Sequence, residues 1–187
     1  RLGDLAAAEV DARTALAASE LRAPALYRVL NGGVLVNALV EQGELDAAEA
    51  ALAPFDGEIE SDYLAAALLR FGRGRLRIAH GWIDEGLADL LGVGELTTRA
   101  AVTCPSYLPW RSEAALAYLL VGNHDKAEAL ADQELELAQA FAAPRALGFA
   151  LRAAALVAGG QVGEARLRES VALLEHAGAR LDLAWSL

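Results

Sequence analysis

A small residue followed twelve positions later by another small residue recurs along this chain. The pairs are Gly74/Gly86, Ala115/Ala127 and Ala153/Ala165, with Val36/Ala48 as a looser copy. Seven positions after the first member of each pair stands a glycine: Gly43, Gly81, Gly122 and Gly160. Gly3 precedes Ala8 in the same way that those glycines precede the second members. Consecutive glycines of the series, from Gly3 to Gly160, are 40, 38, 41 and 38 residues apart. Self-similarity at this period marks stacked supersecondary units, each too small to bury its own apolar face. It argues against a globular core built around one active site.

One unit reads as a helical hairpin. Residues 111–121 carry Ala114, Ala115, Leu116, Ala117, Leu119 and Leu120, enough apolar surface for a mostly buried helix. Gly122-Asn123 then stops it, as expected of a left-handed helix end. A second helix follows, with Ala127, Leu130, Ala131 and Leu135 on one face and charges between them. Two helices approach closely only where neither side chain is bulky, and Ala115 and Ala127 meet that need. This is the arithmetic of the tetratricopeptide (TPR) hairpin, stretched from about 34 to about 40 residues. Armadillo and HEAT units have similar lengths but lack the glycine followed by a small residue five positions on. The expected fold is all-α, with TPR-like hairpins forming a right-handed superhelix, an α-solenoid, over 1–187 as one continuous domain.

Helices are expected near residues 4–20, 24–42, 44–53, 62–80, 82–98, 109–121, 124–141, 144–158 and 162–177. Pro24 and Pro144 suit first helical turns, where a missing N–H has no partner to lose. Residues 56–62 read as an acidic turn, with Ser61 or Asp62 as N-cap of the next helix. Both ends read as cut within a repeat, since 4–21 resembles a second helix without its first and 180–187 a first helix without its second. There is no Met anywhere. Leu5, Val10 and Leu16 at one end, and Leu181, Leu183 and Trp185 at the other, are therefore expected to present apolar faces to a second copy of the chain.

The composition is compatible with a large buried interior, at 55% hydrophobic residues. No uncharged apolar run reaches the roughly 18 residues of a membrane span, and the charged start is unlike a signal peptide. Cys104 has no partner for an internal disulfide and fits a reducing, cytoplasmic setting. Only Lys126 among the 16 basic residues is lysine, a bias of GC-rich bacterial genomes.

Catalytic signatures are missing from the sequence. There is no GxxxxGK[ST] phosphate loop, and Gly72-Arg73-Gly74 lacks the third glycine of a dinucleotide loop. His80, His124 and His176 stand far apart, without a second His or Cys at ligand spacing. Cys104 has no adjacent base to activate it. No catalytic residue, cofactor or metal is expected.

Charge distribution is more telling. Between Arg28 and Arg70 stand eight acidic residues and no basic one, and Arg70, Arg73, Arg75 and Arg77 follow at once. Positions 70, 73 and 77 share one helix face, and Arg75 points elsewhere. Two readings stand open: ion pairing between neighbouring hairpins, or an anion-binding face for an effector or an acidic tail. Trp110-Arg111 at a helix start is either a packing wedge or a ring for stacking a ligand. Placing the small pairs at the hairpin contact points Asn37, Arg75 and Ser112 toward the concave side, where TPR arrays hold peptides. A net charge of −10 repels phosphate, so direct nucleic-acid binding is not expected.

The run Pro105-Ser106-Tyr107-Leu108-Pro109-Trp110-Arg111-Ser112-Glu113-Ala114-Ala115 resembles a phrase of the large LuxR-type ATP-dependent transcriptional regulators of actinobacteria. So do Glu134-Leu135-Glu136-Leu137-Ala138 with Phe141-Ala142-Ala143-Pro144-Arg145-Ala146-Leu147-Gly148, and Glu169-Ser170-Val171-Ala172-Leu173-Leu174-Glu175 with Ala179-Arg180-Leu181-Asp182-Leu183-Ala184. These phrases fall within 105–187, and 1–100 fits through the repeat rhythm alone. The resemblance implies the TPR-like middle region of such a protein, between an N-terminal ATPase and a C-terminal helix-turn-helix, with neither the ATP site nor the DNA-reading helix represented here. The expected role is a non-catalytic regulatory and protein-interaction segment. A small-molecule sensing solenoid and a TPR scaffold unrelated to transcription are the alternatives.

Overall fold

A computed structural model describes residues 4–22 and 24–187. Gly3, the first glycine of the series, lies outside them. The described residues form helices and turns without a strand, and they group into two compact units, Asp4–Val102 and Thr103–Leu187.

The first unit contains α1 (Leu5–Arg22), α2 (Ala25–Gln42), α3 (Leu45–Leu52), a 3-10 turn (Ala53–Phe55), α4 (Asp56–Ile59), α5 (Ala66–Ala79) and α6 (Ile83–Arg99). In it α2 packs on α1, α3 and α5, and α5 packs on α6. Val36, Leu39, Ala48, Phe55, Ile59 and Leu69 lie in its apolar core. The second unit contains α7 (Trp110–Leu120), α8 (His124–Phe141), α9 (Pro144–Ala158), α10 (Gly160–His176) and α11 (Arg180–Ala184). Here α7, α8 and α9 pack together, α10 covers α9, and α11 packs on α10. Its core cluster is rich in alanine: Ala115, Ala131, Ala138, Ala150 and Ala154 surround Leu135 and Leu151.

The recurring glycines have a physical cause. Gly43, Gly81 and Gly122 have φ of 77°, 84° and 73°, left-handed values that penalise any Cβ. At each, the glycine N–H donates to the carbonyl three residues back and the next N–H to the carbonyl five back. For Gly122-Asn123 the acceptors are Leu119 and Tyr118, at 3.1 and 2.9 Å. The helix that follows starts two residues after the glycine, and its fourth residue turns inward: Ala48, Gly86 and Ala127 are all buried. Contact there is tight, since a Cβ on Gly86 would stand 2.7 Å from the Gly74 carbonyl oxygen.

The last hairpin departs from the expected register. One residue, Gly159, joins α9 to α10, where the other hairpins use two or three, and Gly160 already opens the helix. The fourth position therefore falls on Gly163, whose Cβ would meet the Ala155 carbonyl oxygen at 2.5 Å. Ala165, expected to touch Ala153, is exposed. The glycine series instead resumes at Gly178 (φ 63°), which turns α10 into α11 with the same two hydrogen bonds.

Two further expectations need correction. Residues 56–62 are not a simple turn, because α4 takes up 56–59 directly after the 3-10 turn. Neither Ser61 nor Asp62 caps α5; the residue before that helix is Ala65, without a side-chain cap, and Ser61 Oγ donates back to the Glu58 carbonyl at 2.6 Å. At the ends, Leu5, Leu16, Leu181 and Leu183 are partly buried, and Val10 and Trp185 are the exposed members. The guanidinium of Arg152 lies 5.9 Å from the Trp185 ring centre and donates to the Trp185 carbonyl, tying the end of the chain back to α9.

Candidate functional site

The arginines of α5 face two ways, with Arg70, Arg73 and Arg77 on one side and Arg75 on the other. Arg73 forks onto Asp89 of α6, with Nε to Oδ2 at 2.9 Å and Nη2 to Oδ1 at 2.6 Å, and its Nη1 reaches Glu60 Oε1 at 2.7 Å. Arg77 adds a third bond to Asp89, at 2.7 Å. Arg70 donates to the Ile59 carbonyl at 2.8 Å and lies 3.5 Å from Glu60. Arg75 turns the other way, onto Glu41 of α2 and over the Phe71 ring. The one-turn helix α4 has a purpose in this light: it sets Glu60 above the face shared by Arg70 and Arg73.

Asp89 is 5% exposed. A carboxylate so buried is stable only when paired and fully hydrogen-bonded, and the two guanidiniums supply that. Hydrogen bonding from Arg73 draws the Glu60 carboxyl below its usual range. Burial alone would depress Arg73, but its bonds to Asp89 and Glu60 outweigh that and raise it.

In the second unit Trp110 is buried, with the Arg111 guanidinium 4.5 Å from its ring centre. Arg111 reaches across to Glu134 of α8 at 3.3 Å. Glu134 is 1% exposed, and burial pushes its carboxyl above the usual range despite Arg111. Arg145 at the start of α9 holds the buried Asp182 of α11 with bonds of 2.6 and 3.3 Å. Ser112 is fully buried and its Oγ has no partner among the described residues. Asn37 donates to the carbonyls of Gly33 and Leu68 at 2.8 and 3.1 Å, stitching α2 to α5.

The candidate residues therefore split between the units. Asn37, Arg70, Arg73, Arg75 and Arg77 lie in the first, each with a carbonyl or carboxylate partner; Trp110, Arg111 and Ser112 lie in the second. Asp89, Glu134 and Asp182 are the acids that the sequence reading missed. Two small grooves also run between helices. One, of about 330 Å³, lies among α1, α2 and α3 and is lined by Leu16, Leu35 and Phe55 with Arg13 and Arg28. The other, of about 170 Å³, lies among α8, α9 and α10 and carries His124, Glu128, Asp132 and Arg166. Among the described residues no three His, Cys, Asp or Glu side chains are placed to hold a metal ion, and no helix is long and apolar enough to cross a membrane.

No family model matches the chain, and no curated protein does. A solved structure does: the crystal structure of BtubC (BKLC) from P. vanneervenii. It superposes with a TM-score of 0.57 at 10% identity, over 98% of this chain and 85% of that one. That likeness is one of fold. The fold is all-α.

Proposed function

We propose that this chain is a TPR-like α-solenoid segment whose work is binding rather than catalysis. The observation that carries the reading is the repeated hairpin: a left-handed glycine turn, then a small buried residue at the fourth position of the next helix, at Ala48, Gly86, Ala127 and Gly163. Units of that kind stack into a superhelix with long grooved surfaces, which suits peptide or protein partners better than it suits chemistry. The arginine network supports this too. Its guanidiniums are committed to Glu41, Glu60 and Asp89, as in a structural clamp between helices.

The phrases within 105–187 extend the reading to the regulatory middle region of a LuxR-type ATP-dependent transcriptional regulator. There the segment would bind an effector or protein partner, in the cytoplasm, and bias the ATPase and DNA-binding ends. Reading the coding sequence on both sides tests this. A phosphate loop upstream and a helix-turn-helix downstream are expected, and an open frame without either would remove the regulator reading while leaving the scaffold. The purified segment should neither hydrolyse ATP nor hold operator DNA at moderate salt.

A further inference from the structure

We propose that the groove among α1, α2 and α3 binds a small amphiphilic monocarboxylate, its hydrocarbon tail on the apolar floor and its carboxylate at Arg13. The proposal rests on the binding reading above and names the chemistry of the effector.

α3 is the second helix of its hairpin, yet it stops after eight residues, where α6, α8 and α10 run for 17, 18 and 17. The groove, of about 330 Å³, opens at that stop and is bordered by Pro54 and Phe55. Small-molecule sites span about 300–1,000 Å³, so it has room for a short hydrocarbon chain. Phe55 is held in place from two sides. A Cβ on Gly32 would run into its ring, and the Arg28 guanidinium lies 4.6 Å from the ring centre. Arg28 is fixed in turn by Glu58 and by the Pro54 carbonyl. This wall is therefore ordered before a ligand arrives, which lowers the cost of binding.

The charge of the groove points to the ligand. Among the described residues that line it, the charged ones are Arg13 and Arg28. That is an exception in a chain of net charge −10. It also contrasts with the groove among α8, α9 and α10, where Glu128 and Asp132 stand with Arg166. Arg13 gives its Nε to Glu9 Oε1 at 2.9 Å. Its two Nη groups have no acceptor among the described residues, and such a pair forks onto a carboxylate. Glu9 does not depend on Arg13 alone, since Gln42 Nε2 donates to its other oxygen at 3.1 Å. The rest of the lining is Leu16, Leu35 and alanines of α3, with no amide or hydroxyl side chain among them. A polypeptide laid there would leave backbone N–H and C=O groups without partners, whereas a hydrocarbon tail asks for none.

The test is a titration of the isotope-labelled chain with octanoate, followed by amide chemical shifts at low salt. Saturable shifts confined to 13–16, 28–35 and 47–55 are expected. Octanamide, the neutral counterpart, should bind roughly tenfold more weakly, and butanoate, four methylenes shorter, more than about tenfold more weakly. Arg13→Gln should also weaken octanoate roughly tenfold, as expected for losing a charge-assisted fork. Ala50→Leu, which fills the groove from an exposed position, should abolish the shifts. Unchanged thermal midpoints in both variants separate lost binding from lost folding. No saturable shift, shifts elsewhere on the chain, octanamide or octylammonium binding as tightly as octanoate, or full affinity in Arg13→Gln would each overturn the proposal. Tighter binding of the blocked peptide acetyl-Leu-Ala-Ala-Glu-amide in the same groove would overturn it too, by making the occupant a polypeptide. Such a failure, with a phosphate loop and a helix-turn-helix found in the flanking sequence, would remove the carboxylate site and leave the regulatory segment standing.

Discussion

The two units hold helical hairpins together by different means. In Asp4–Val102 the contacts are stitched by charge: Arg73 and Arg77 converge on Asp89, Arg75 on Glu41, and Arg28 on Glu58. In Thr103–Leu187 the joints are made mainly by alanine and glycine, with one arginine each for Glu134 and Asp182. The contrast follows from what each helix presents at the joint. Where glycines replace side chains, at Gly74 and Gly86, the backbones touch and little apolar area is left to bury, so buried ion pairs and their hydrogen bonds complete the contact. Where alanines line both sides, close packing over a longer stretch suffices.

The largest effect should come from breaking the charge joint. Asp89→Ala leaves Arg73 and Arg77 without their shared carboxylate, and Arg73 is mostly buried. Losing one member of a buried pair costs about 3 kcal/mol, read as a lowered midpoint of denaturant unfolding. A loss under about 1 kcal/mol would show that water already screens the network, and the contrast between the units would fade.

A smaller effect, of opposite sign in the two units, should appear on changing pH. Burial holds the Glu134 carboxyl above its ordinary value, so its contribution to stability is present while it is protonated. That contribution drains away as pH rises through the raised folded value. As pH rises from the ordinary carboxyl value through the raised folded one, the chain should lose stability relative to Glu134→Gln. Glu60 behaves oppositely, because Arg73 draws its carboxyl down and its contribution is lost on acidification. Parallel pH curves for the chain and Glu134→Gln would show that Arg111 fully compensates the burial. The smallest effect is expected at Arg99–Asp62, where both side chains are more than half exposed. Arg99→Ala should move stability by less than about 0.5 kcal/mol.

Much of the fold was legible because glycine turns and small-residue contacts leave a local signature. The bounds of α2, α7 and α8 fall within a residue or two of expectation, since proline, glycine and asparagine mark them. The shared face of Arg70, Arg73 and Arg77 also followed from helical spacing. Their chief partner did not, because Asp89 lies one helix further on and charge counting in a window cannot reach it. A signal was present nonetheless. Asp89 interrupts the buried stripe Gly86, Leu87, Leu90 and Val93, and Glu134 interrupts Ala127, Ala131 and Ala138. A carboxylate inside an apolar stripe demands a cation from the facing helix. The misplaced Ala153/Ala165 pair has another cause. A count from Gly160 assumes a constant turn length, and Gly159-Gly160 shortens the turn.

That shortened turn offers the most direct test of the hairpin geometry. If the fourth residue of each second helix is the point of contact, Gly163→Ala drives a Cβ into the Ala155 carbonyl and should cost roughly 1–3 kcal/mol, with Ala127→Leu costing about the same. Ala165→Leu, on an exposed position two residues away, should stay within about 0.5 kcal/mol. Denaturant midpoints of these three variants decide the matter: a severe loss at Ala165 with Gly163→Ala tolerated would restore the twelve-residue pairing and contradict the hairpin described here.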